Sequence, residues 1–179
     1  NRVFSDTEFD EADWTKVVSG YNDSGQSDGF VTHTATGGDP GAYFAVQTLL
    51  GPAGAQPASV YAGFMRNGAT YDPSTDGAIG TIDWDETAKN FSTGGPGQRA
   101  GPALVQGGVL YVGEFTSSPI FVPELVWTVK SRHGLTAADF TIPGTNTHPD
   151  FSASGAPITF GFFRANSGLT FQGTTYGPV

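Results

Sequence analysis

Between one Gly, Pro, Asn or Asp and the next, this chain offers only short runs, and almost none of them carries the 3.6-residue period of a helix. Gly and Pro number 26 and 12 among 179 residues. Breakers at that density end a helix before an amphipathic face is established. One segment is an exception. Leu135–Phe140 places Thr136 as a cap with Asp139 three residues on, which predicts about one helical turn. The remaining runs read as strands bounded by turn residues: Trp14–Ser19, Gly29–His33, Ala42–Leu50, Ser59–Met65, Ala78–Trp84, Val109–Val112, Leu125–Lys130, Ile158–Arg164 and Thr170–Tyr176. Several alternate. Leu125, Trp127 and Val129 share one face, which predicts Trp127 in the core; Ile158, Phe160 and Phe162 share another. With no crossover helices, the pattern predicts an all-β fold: a single antiparallel β-sandwich over residues 1–179 with at most one short helix. The Gly51–Pro57 stretch looks like a linker, but too little chain precedes it to form a core of its own.

Charge narrows the partners. Seventeen acidic against eight basic residues give a net charge of −9, so a nucleic-acid backbone is a poor partner. No apolar run approaches the ~18 residues of a membrane span. The absence of Cys removes disulfides, thiolate metal sites and cysteine nucleophiles together. Scarce Lys, low overall charge and abundant Thr and Gly resemble secreted bacterial β-proteins, which predicts a secreted or cell-surface address. The chain opens without Met and without an apolar leader, and so reads as a processed or trimmed product.

Two segments carry a family resemblance. His33-Thr-Ala-Thr-Gly-Gly-Asp-Pro-Gly-Ala-Tyr43 resembles a Gly-Gly-Asn-Pro-Gly-Gly turn of laminin domain IV-like secreted modules, with Asp39 in place of Asn and Ala42 in place of the last Gly. Tyr71–Ile79 with Ile82-Asp83, paired with Pro157–Phe162 and Ala165-Asn166, is similar to segments of bacterial extracellular domains with a concanavalin-like jelly roll. The opening Val3-Phe4-Ser5-Asp6, followed by acids and Trp14, is similar to how such modules begin. The resemblance implies a jelly-roll sandwich and an extracellular address. It implies no reaction. Related modules often end in a further strand, whereas this chain stops at Gly177-Pro178-Val179.

Several residues are candidates for a site. Phe4–Trp14 holds five carboxylates, a density that asks either for solvent or for a hard cation with oxygen ligands. Asp6, Glu8 and Asp10 are the first candidates for structural Ca²⁺, and Asp72 with Asp76 the second; each group also reads as plain solvated or turn-forming acids. Sandwiches of the resembled topology often hold such an ion near the first strand. Asp83 and Asp85 share a face of one strand with Trp84 opposite. Beside aromatics, two such carboxylates suit sugar hydroxyls and leave a glycosidase geometry open. His33, His133 and His148 form no metal motif, and no Gly-x-Ser-x-Gly supports a serine nucleophile. Trp84 and Tyr71, close to acidic turns, are the expected sugar platforms, with Asp83, Asp85 and Asp39 as polar neighbours. The expected function is therefore a non-catalytic extracellular module that binds carbohydrate or matrix glycans. A structural or adhesive subunit of an extracellular filament, coat or matrix, in contact with neighbouring subunits, is the alternative, and a glycan-active enzyme the second.

Overall fold

A computed structural model describes residues 2–22, 25–53, 56–91, 97–115 and 117–168. Among these residues ten strands follow in chain order: β1 (Trp14–Tyr21), β2 (Asp28–Gly38), β3 (Gly41–Leu49), β4 (Ala58–Tyr71), β5 (Ile82–Ala88), β6 (Arg99–Gln106), β7 (Val109–Val112), β8 (Ile120–Phe121), β9 (Thr128–Leu135) and β10 (Ile158–Gly168). Among the described residues helix is confined to single turns: α1 (Pro73–Asp76) and 3₁₀ turns at Glu11–Asp13 and Ala137–Asp139. The last lies inside the predicted Leu135–Phe140 segment. There the Asp139 carboxylate accepts from the Thr136 backbone N–H at 2.7 Å and from its hydroxyl at 2.9 Å. The all-β antiparallel sandwich expected from the punctuation is present. The Thr170–Tyr176 strand expected from the sequence lies outside the described residues. No helix among the described residues is long and apolar enough to cross a membrane.

One antiparallel sheet runs in the order β1-β4-β10-β6-β7, with β8 also on β6. Its central strands explain its curl. In β4 the alternation sends Val60, Ala62 and Phe64 to one face, and Tyr61, Gly63 and Met65 to the other, and both faces are buried. β10 does the same with Phe162 and Phe163. The sheet bends like a half-barrel, so Val17 and Tyr21 of β1 join Leu110 and Val112 of β7 around Tyr61, Met65 and Phe163. At the rim of this concave core the Tyr61 hydroxyl donates to Glu114 at 2.7 Å, and Glu114 pairs with Arg99. Burial is the main reason the Tyr61 phenol is pushed up to about 12.

The convex face carries two antiparallel pairs, the β2-β3 hairpin and the sequence-distant β5-β9, each a separate two-stranded sheet among the described residues. From β3, Phe44 and Val46 pack with Trp14, Phe64 and Phe162. From β5, Ile82 reaches a cluster with Phe160, Ile158 and Leu104, while Trp84 packs against Ala88, Ala100, Ile120 and Val122.

The predicted Leu125–Lys130 strand is displaced and its core face is corrected. β9 begins only at Thr128, and Leu125, Val126 and Val129 are 55%, 68% and 65% exposed. Pro123 stands just ahead, and the hydrophobic run after it lies over the surface. Trp127 is half-buried at that surface, outside the core clusters.

Candidate functional site

A cleft of about 1700 Å³ lies between β3 and β5. Its floor is the convex face of β10, where the Phe162 ring sits 5.4 Å from that of Trp14. Arg164, almost wholly buried in that floor, pairs with Glu86 of β5. Burial of a guanidinium demands such a partner.

The structure separates residues that the sequence grouped. Along β5, Asp83 and Asp85 point outward and are 66% and 61% exposed, while Trp84 points inward to a core cluster. Their alternation is as expected for a strand, but it sets the expected platform and its polar partners on opposite sides of the backbone. Asp83 accepts from the Gly134 N–H at 2.7 Å, and both carboxylates flank His133, at 3.7 and 3.4 Å. Tyr71 is engaged locally: its hydroxyl donates to the Asp76 carbonyl at 2.9 Å, and the Arg2 guanidinium lies 5.9 Å from its ring centre.

Four of the acids considered for calcium, Asp6, Asp10, Asp72 and Asp76, accept from backbone donors or pair with arginines. Asp72 caps α1 by accepting from Ser74 N at 2.9 Å, and Asp76 pairs with Arg2 at 2.6 Å. Asp10 caps the first 3₁₀ turn through Ala12 N at 3.0 Å. Asp6 accepts from the Glu8 and Phe9 N–H groups, each at 2.9 Å, and pairs with Arg66 at 2.6 Å, while Glu8 is exposed. Among the described residues no three His, Asp or Glu side chains gather as a metal-binding group.

Asp6 gives a pH prediction. Burial by itself raises its pKa, but the Phe9 and Glu8 N–H groups and Arg66 outweigh it and hold the carboxyl below its ordinary value of 3.8. A depressed folded-state pKa contributes stability that is full above the unfolded value and lost as pH falls through the folded one. The melting temperature should therefore fall as pH drops below about 4, where the unfolded carboxyl titrates. Asp6→Asn should flatten part of that fall and lower stability at neutral pH by about 1–3 kcal/mol, from the weakened acceptor. Melts of the two proteins between pH 2 and 7 check it; parallel curves refute it.

A cluster that no sequence pattern picks out stands at the rim of the cleft. Tyr43, Phe91 and Trp127 meet with ring centres 5.3 Å (Tyr43–Phe91), 5.3 Å (Tyr43–Trp127) and 6.0 Å (Phe91–Trp127) apart. Trp127 Nε1 donates to the Gly37 carbonyl at 2.9 Å, tying the cluster to the β2-β3 turn. That turn exposes Asp39, the one predicted ligand residue found beside it in the chain. Lys89 Nζ lies 4.7 Å from the Phe91 ring centre and 5.5 Å from that of Trp127. Phe91 remains 55% exposed. The three rings come from positions 43, 91 and 127, so no local spacing announces them.

Comparison of the chain with protein-family models, with curated proteins and with solved structures gives no match.

Proposed function

We propose that this chain is a non-catalytic, extracellular β-sandwich module that binds glycans, and that the Tyr43–Phe91–Trp127 rim with Asp39 and Lys89 makes the contact. The observation that carries this reading is the rim itself: aromatic rings from three segments, fixed by an indole hydrogen bond and partly open to solvent. Sugars present weakly apolar C–H faces with hydroxyls at their edges, so a site needs flat rings beside short polar groups. The low-charge, Lys-poor composition supports the extracellular address.

A glycan array followed by calorimetry tests it. Trp127→Ala should weaken binding about tenfold or more, since stacking and lost ring area together exceed about 1.4 kcal/mol. The same change should lower the melting temperature by only about 2–4 °C, the cost of roughly one surface hydrogen bond. Undiminished binding by the variant removes the rim from the site. A second reading, a subunit of an extracellular assembly, is favoured by the exposed Leu125, Val126 and Val129 beside the same rim. Absence of glycan binding together with large particles in size-exclusion chromatography would put that reading first.

A further inference from the structure

We propose that the rim selects anionic glycans, with Lys89 as the counter-ion of a carboxylate or sulfate on the sugar; this deepens the glycan-binding reading and rests on it. Acidic residues outnumber basic ones by 17 to 8, so each cation of this chain has carboxylates in ample supply. Arg2, Lys16, Arg66, Arg99, Lys130 and Arg164 each pair with an Asp or Glu. Arg132 donates instead to the Ser118 and Ser131 carbonyls, at 2.9 and 3.1 Å. Lys89 is the exception. Among the described residues its ammonium has neither a carboxylate nor a carbonyl, only the rings of Phe91 and Trp127. Every acidic side chain but that of Asp23 belongs to the described residues, and none of those pairs with Lys89.

Position decides what this ammonium can bind. Lys89 directly follows β5, whose last residue, Ala88, is buried in a core cluster. The Lys89 side chain lines the cleft and is half-buried beside the rim. Ring faces attract a cation but accept none of its three N–H groups in an ordinary hydrogen bond. They also keep water from one side of it, which strengthens its attraction for an anion arriving from the other. Asp39, exposed at the β2-β3 turn, is not its partner. The rim therefore carries separate charges of both signs. A carboxylate accepts from sugar hydroxyls, and an ammonium donates to an anionic substituent. The net charge of −9 repels a densely charged polyanion at long range, so the fit is to an oligosaccharide with isolated acidic groups.

The test uses the full chain and an array of oligosaccharides bearing uronate, sialate or sulfate groups. Each stands beside its uncharged parent, the carboxyl methyl ester or the desulfated chain, and hits are measured by calorimetry. An acidic member should bind about tenfold more tightly than its parent, the gain from one charge-assisted hydrogen bond. The arm that responds tells carboxylate from sulfate. Lys89→Met keeps an apolar stem over the rings and should erase the preference, so that both members bind as the parent does. Lys89→Arg should retain most of it. Trp127→Ala should instead weaken both members alike. Equal binding of charged and uncharged members, or a preference that survives Lys89→Met, would overturn the proposal and leave the glycan rim standing. Binding of no glycan by the folded chain would remove the rim reading and this one with it.

Discussion

Gly161→Ala is expected to lower stability by about 3 kcal/mol or more, placing it among the most damaging single-methyl additions the chain can receive. Gly161 sits in β10 where the pairing with β4 slips: Thr159 is opposite Thr70, yet Gly161 is already opposite Met65. The intervening β4 residues, Arg66 to Ala69, loop out of register, which draws the two backbones together. A Cβ at 161 would overlap the Phe64 carbonyl oxygen and lie 2.8 Å from the Met65 Cα. Both are backbone atoms and cannot rotate aside. Nor can β10 withdraw, because β6 is paired along its other edge. For a chain of this length the loss corresponds to a fall in melting temperature of about 6–12 °C. Gly80→Ala is the matched control. It has nothing within 4 Å of its new methyl and an ordinary φ, and should be neutral or slightly stabilising. A Gly161→Ala chain that melts with the Gly80→Ala chain would show that the ladder relaxes and that the crowding is not rigid.

The same strand shows which parts of the fold are legible from sequence. Val109–Val112 and the start of β10 at Ile158 fall where the turn residues put them, because Gly107-Gly108 and Pro157 mark the boundaries locally. β6 is not legible. Its Gly101-Pro102 pair reads as a breaker, yet Pro102 lies in the sheet opposite Phe162. Its carbonyl accepts from Gly113, one residue past the end of β7, so the side lacking an N–H faces a ladder that has already stopped. β5 lies later in the chain than the expected Ala78–Trp84 strand for a related reason. The strand runs on past Trp84 to Ala88, and Glu86 is held within it because Arg164, seventy-eight residues on, neutralises it. The site follows the same rule. The opposed directions of Trp84 and Asp83 are readable from period two. The Tyr43–Phe91–Trp127 rim is not, since only the fold brings three distant rings together.

Core and rim aromatics should separate most sharply at Phe163. It is fully buried inside the half-barrel among Tyr61, Met65, Leu110 and Val112, its ring 6.0 Å from that of Tyr61. Phe163→Ala is expected to cost about 3–5 kcal/mol, the sum of lost transfer energy and the cavity left behind. The site has little capacity to collapse, because its walls are the sheet's own backbone bent around it. On one side Gly63 already brings β4 so close to Leu110 that a Cβ there would lie 2.7 Å from Leu110 Cδ1. A domain of ordinary stability, ~5–15 kcal/mol, would lose a large fraction of it. Urea unfolding should show the midpoint shifted with the slope unchanged, as befits a native-state cavity rather than a more compact denatured chain. The proposed glycan binding, measured well below the lowered midpoint, should be the same as in the unsubstituted chain, because the ring lies on the concave side of the sheet and the rim belongs to the convex layer. A loss of binding in the still-folded Phe163→Ala chain would mean that the half-barrel's curvature positions the rim, and the two faces of the sheet could not then be treated as independent.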